Sequence, residues 1–134
     1  MSSIHMAASR RLAIAVLAAA VLASSIAACS ARVPLPPDNA SPQQVLEAYL
    51  QALAAGDCET VKALTEGGSK GLCGSVTAYT PPRLFLALKG DLLFTTTVTI
   101  SGGDGSMPDG PNTWNYTLGQ DAAGRWRIVN QGTG

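Results

Sequence analysis

The chain has 134 residues, 46% of them hydrophobic, with nine Lys and Arg against nine Asp and Glu. That length admits one small domain with a modest core, and a balanced charge without a basic cluster argues against nucleic acid as a partner. Only 13% of the residues are charged, and together with the many Thr and Gly this suits an exported domain rich in β structure.

Arg10 and Arg11 precede an unbroken apolar run over residues 12–23, and Ile26-Ala27-Ala28-Cys29 closes the segment. A positive start, an apolar middle and small residues at the cut are the three parts of a secretory signal in their proper order. The two arginines hold the start of the chain on the cytoplasmic side. The apolar run is 12 residues long, short of the roughly 20 that span a bilayer core. The segment resembles a bacterial lipoprotein signal peptide, and Ile26, Ala27, Ala28 and Cys29 match its lipobox at every position. The resemblance implies that residues 1–28 are cleaved and that the Cys29 thiol carries diacylglycerol. The chain would then be held on the extracytoplasmic face of the cell membrane. Two acyl chains make a stable anchor, because each buried methylene contributes about 0.8 kcal/mol and one chain alone is marginal. The alternatives are an ordinary secretory signal that leaves Cys29 free, and an uncleaved N-terminal anchor helix.

After cleavage the chain would keep seven basic residues against nine acidic ones, a formal charge of −2. With Cys29 taken by lipid, Cys58 and Cys73 remain. An even pair outside the cytoplasm is most simply a disulfide. It would close a loop of about 15 residues, worth roughly 3 kcal/mol in the chain-entropy model. A metal site is the alternative, but it would have two thiols and no histidine, since His5 lies in the signal. No cofactor is indicated.

Residues 29–40 read as a lipidated tether, in which Pro34, Pro36 and Pro37 favour an extended chain. The domain is expected over residues 41–134. Ser41-Pro42-Gln43-Gln44 is a capping box with proline at the first helical position. Val45, Leu46, Tyr49, Leu50 and Leu53 follow at helical spacing. Gly56 ends this helix and Asp57 caps a shorter one through about Thr65, with Cys58, Val61 and Leu64 on its inner side. From Ser75 the pattern turns to β. Residues 76–79 predict a short strand stopped by Pro81-Pro82, and residues 84–88 fit either a strand or a helical turn. In residues 92–101, Phe94, Thr96, Val98 and Ile100 alternate with Thr95, Thr97 and Thr99. Trp114, Tyr116 and Leu118 alternate on the next strand, residues 121–124 form a tight hairpin loop, and Trp126, Ile128 and Asn130 are expected on the matching face of the last. The sum is an α+β arrangement, two helices followed by a three- or four-stranded antiparallel meander.

At this point the domain resembles the NTF2-like, or cystatin-like, superfamily. The resemblance rests on residues 45–56 with the turn Ala55-Gly56-Asp57, and on the closing Gly124-Arg125-Trp126-Arg127-Ile128. It implies a curved antiparallel sheet wrapped round the long helix. Ser106-Met107-Pro108-Asp109-Gly110 before Thr113-Trp114 is similar to actinobacterial lipoproteins of this build. Such domains also dimerise through the outer face of the sheet, so a homodimer is among the implied assemblies.

Some members of that superfamily are enzymes that use an acid and a tyrosine inside the sheet's cone. Here Tyr49, Tyr79, Tyr116 and Asp91 qualify by residue type, but no spacing pairs two carboxylates and a cleaved chain would have no histidine for acid–base work. The expectation is a non-enzymatic domain that binds a small apolar ligand or another envelope protein. Tyr49, Phe85, Phe94, Trp114, Tyr116 and Trp126 are the residues expected to line a ligand pocket, with core packing as the alternative for the tyrosines and tryptophans. Phe85, Leu86, Leu92 and Leu93 make their region apolar enough to be either a second core wall or a pocket lip. Asp104 and Asp109 flank a Gly-rich loop and offer only two carboxylates to calcium, so the loop reads as an exposed hairpin connection.

Overall fold

A computed structural model describes residues 32–103 and 106–133. The signal segment 1–28, Cys29 and Asp104 lie outside the described residues.

The first helix, α1, is Pro42–Ala55. The Ser41 hydroxyl accepts the Gln44 amide at 3.2 Å, and Gln44 Oε1 accepts the Ser41 amide at 2.9 Å. Two otherwise orphaned amides of the first turn are thereby satisfied. Val45, Leu46, Tyr49, Leu50, Ala52 and Leu53 are buried, forming one apolar stripe. Gly56 ends the helix at φ 70°, a left-handed conformation that costs glycine little. The second helix, α2, is Cys58–Ala63, with Asp57 as its N-cap and Val61 and Leu64 buried. A 3₁₀ turn, Glu66–Gly68, follows. The Cys58–Cys73 disulfide joins α2 to the next loop, with the two Cα atoms 5.6 Å apart.

Five antiparallel strands make one sheet: β1 Val76–Tyr79, β2 Arg83–Leu88, β3 Asp91–Ile100, β4 Gly110–Gln120 and β5 Trp126–Thr133. The order is not a plain meander. β3 pairs on one side with β4 along its whole length. On its other side β1 takes the Val98–Ile100 half and β2 takes the Asp91–Thr95 half. Pro81 and Pro82 separate these two, since neither can donate to the ladder. Thr80 bridges the gap: its amide donates to the Thr97 carbonyl at 2.9 Å and its hydroxyl accepts the Thr97 amide at 3.0 Å. The buried Thr96 hydroxyl in turn donates to the Thr80 carbonyl at 2.6 Å.

The inner face of the sheet carries Phe94, Val98, Ile100, Trp114, Tyr116, Leu118 and Ile128, all buried in one cluster with the α1 stripe. The alternation expected for β3 and β4 is therefore the observed one. The last strand differs. Thr117 faces Asn130 and Leu118 faces Ile128, so Val129 is an extra residue in β5. A bulge of this kind shifts every later side chain to the opposite face. Asn130, expected inside, is exposed.

Residues 33–40 also differ from expectation. They are not a free spacer. The Val33 amide donates to Asp57 Oδ2 at 2.9 Å, and the Thr60 hydroxyl lies 3.1 Å from the Val33 carbonyl. Val33 packs on the core cluster and Ala40 is part of it. A Pro-rich segment has little conformational freedom to lose on docking, and the Asp57 carboxylate still has an oxygen to offer after capping α2. The folded unit therefore begins at Val33 rather than Ser41.

Candidate functional site

The residues expected to line a pocket fall into two separate places. Tyr49, Phe94, Trp114 and Tyr116 are buried members of the core, and Trp126 is half-buried at its margin. Phe85 is 70% exposed on β2. The aromatic set thus does not converge on one concavity.

Inside, the Tyr49 and Tyr116 rings meet edge to face with centroids 5.4 Å apart. The Trp114 indole N–H donates to Gln131 Oε1 at 3.4 Å, and Gln131 Nε2 donates to the Tyr49 hydroxyl at 3.3 Å. Gln131 reaches this position because of the β5 bulge. The loop before β1 closes over the same spot at Gly71, where a Cβ would stand 2.6 Å from Gln131 Nε2 and 3.1 Å from the Tyr49 hydroxyl. The Tyr116 hydroxyl is buried with no hydrogen-bond partner. Burial, and then the neighbouring Tyr49, push the Tyr116 phenol far above its ordinary value; burial also raises Tyr49. Both phenols therefore stay protonated, and neither is set up to act as a base at neutral pH.

Asp57 and Asp121 hold structure. The Thr60 hydroxyl, foremost, keeps the Asp57 carboxyl below its ordinary range, helped by the Thr60 and Val33 amides. The Arg125 amide does the same for Asp121, whose carboxylate also pairs with the Arg125 guanidinium at 2.9 Å. Asp109 Oδ1 accepts the Gly103 amide at 3.0 Å and closes its own loop. Among the described residues, no three His, Cys, Asp or Glu side chains converge as metal ligands.

The other place is the β2–β3 hairpin. Every residue of 83–91 is exposed, including Leu84, Phe85, Leu86 and Leu88. Of the residues expected to form a core wall or a pocket lip, Leu92 packs partly against the core, whereas Phe85 and Leu86 are exposed. Leu84 pairs with Phe94 and Leu86 with Leu93, so Phe85 is a bulge at the edge of the sheet. Leu86, Leu88 and Leu93 line a shallow groove of about 300 Å³ with Lys89, Asp91 and Thr117. Leu84, Phe85, Leu86 and Leu88 are thus large apolar side chains left in solvent on consecutive or near-consecutive positions of one strand. The signal for it in the sequence was present but ambiguous: five apolar residues run without alternation between Arg83 and Lys89. A run of that kind denotes either a strand buried on both faces or one kept apolar for a partner.

Among the described residues, no helix is long and apolar enough to cross a membrane. No family model, curated protein or solved structure matches the chain.

Proposed function

We propose that the chain is an exported lipoprotein, anchored through Cys29 on the extracytoplasmic face of the membrane, whose domain is a non-catalytic interaction module. The NTF2-like likeness belongs to this reading: a helix pair laid on an antiparallel sheet agrees with it in outline. The observation that carries the proposal is the division of the aromatic set. The inner face of the sheet, where a ligand of that superfamily would lie, is taken up by Tyr49, Phe94, Trp114 and Tyr116 packed on α1. The apolar surface left for a partner is on the outside, at β2 and the tip that follows it. The Cys58–Cys73 disulfide supports export, because such bonds persist in oxidising compartments.

Native mass spectrometry of the full-length protein, extracted from its own membranes without reductant, tests this. The expected species starts at Cys29, carries diacylglycerol or more, and is lighter by two hydrogens for the disulfide. A chain that starts elsewhere and carries no lipid contradicts the anchor. A stoichiometric small molecule retained by the folded chain contradicts the claim that the inner face is filled.

A further inference from the structure

We infer that the β2–β3 hairpin is a second membrane contact, its apolar side chains seated in the interfacial layer of the phospholipid leaflet that holds the Cys29 lipid. The inference rests on the anchor proposed above and adds to it a place and an orientation.

Three observations carry it. The first is position. Among the described residues, the large exposed apolar side chains are Leu35, Leu84, Phe85, Leu86 and Leu88. The hairpin tip at Lys89-Gly90 leaves the sheet beside the β4–β5 turn. Leu92 pairs with Leu118, and a Cβ on Gly119 would stand 2.8 Å from Asp91 Oδ1. That turn carries Arg125, which reaches Asp38 at 3.9 Å. Leu35 lies three residues before Asp38, within roughly 10 Å of chain reach. Leu86 and Leu88 therefore lie toward the end of the sheet that carries the β4–β5 turn, and Leu35 is within chain reach of that turn.

The second is the length of chain between anchor and fold. Three residues separate Cys29 from Val33, and Val33 is bonded to Asp57. Four steps of extended chain span about 14 Å at most. A lipid on Cys29 would therefore keep Val33 within that reach of the bilayer.

The third is charge. Arg83 and Lys89 bracket the five apolar residues of the run. Long cationic side chains beside an apolar surface lay their stems on it and carry their charge to the headgroup phosphates. A second copy of the chain suits this edge less well. Two β2 strands paired antiparallel about Leu86 would set Arg83 of each opposite Lys89 of the other, and like charges facing across a ladder repel. The Phe85 bulge further disfavours edge pairing. The unpaired amides of β2 limit depth. They stay where water and lipid carbonyls reach them, which confines the hairpin to the interfacial layer.

The test uses full-length lipidated protein with Phe85→Cys labelled by an environment-sensitive nitrobenzoxadiazole, in vesicles of phosphatidylcholine and phosphatidylglycerol. Thr113→Cys, exposed on the outer face of the sheet, is the control position. The probe at residue 85 should shift to the blue, be quenched by nitroxide lipids and resist iodide, while the probe at 113 stays in water. Adding Leu84→Ser and Leu86→Ser should lower the ratio of inserted to free hairpin about tenfold or more. A lipidated chain whose probe at 85 remains open to iodide overturns the second contact and leaves the anchor standing. A chain without lipid on Cys29 whose probe still enters the vesicles supports the hairpin contact and overturns the anchor. A probe already dry before vesicles are added, on a chain of doubled mass, overturns the inference in favour of a second copy.

Discussion

Strands β2 and β3 lie side by side in one sheet, and their burial is the reverse of their hydrophobicity. β2 reads Leu84-Phe85-Leu86-Ala87-Leu88 and is exposed along its whole length. β3 has four threonines, yet Phe94, Thr96, Val98 and Ile100 are all buried. The difference is what covers them. The buried residues of β3 share one core cluster with the α1 stripe, Leu92 packs only partly against it, and every residue of β2 is exposed. Alternation marks a strand with one covered face. An uninterrupted apolar run says only that both faces avoid water, and here the fold supplies cover for neither. Apolar character thus serves the core along β3 and is left exposed along β2.

The covered and exposed halves should respond oppositely to substitution, and the largest effect is expected in the covered half. Leu50→Ala, in the centre of the α1 stripe and fully buried, should cost about 2–5 kcal/mol in denaturant unfolding, the transfer and cavity terms together. An undiminished midpoint would mean that α1 does not cover the sheet. Next is the bond that pins the loop before β1 to α2. Replacing Cys58 and Cys73 by serine should cost roughly 3 kcal/mol for a loop of 15 residues, seen as an equal loss on reducing the parent protein. No loss on reduction would mean that the bond does not constrain the fold.

Asp57 ties residues 33–40 to α2. Its folded-state pKa is depressed, foremost by the Thr60 hydroxyl. The stabilisation it provides is therefore complete above the unfolded carboxylate pKa and is lost as pH falls through the folded value. Stability should be level near neutrality and fall below about pH 4. Asp57→Asn, which keeps a capping oxygen, should flatten that acid limb. An unchanged limb would mean that the Asp57 carboxylate is not held by Thr60 and Val33 as described. The smallest effect in the covered half has the opposite sign. Tyr116→Phe removes a buried hydroxyl without a partner and should leave stability unchanged or raise it by up to about 1 kcal/mol. A marked loss would show that the hydroxyl has a partner after all.

Most of the covered half was legible in the sequence. Ser41 and Gln44 announce the start of α1, Thr/apolar alternation announces β3, and cysteine parity announces the disulfide. Three features were not. The bulge at Val129 carries no glycine to betray it, so counting by twos placed Asn130 inside and missed Gln131. Asp57 reads as a helix cap, and nothing in the sequence shows that its second oxygen holds Val33. β1 and β2 share one edge of β3, a pairing decided by Pro81-Pro82 and the Thr80 hydroxyl at long range. The hairpin was noticed as apolar, but its exposure depends on the reach of α1, a tertiary fact that no local pattern contains.

The central claim is that the hairpin serves the membrane and not the fold. One comparison tests it most directly: the unfolding midpoint and the vesicle penetration of Leu84→Ser/Leu86→Ser, measured on the same lipidated protein with the probe at residue 85. Exposed positions of this kind change stability by no more than about 0.5 kcal/mol each. The account predicts a nearly unchanged midpoint and a hairpin that leaves the lipid. A clear loss of stability with penetration intact would contradict it, and would return these leucines to the core.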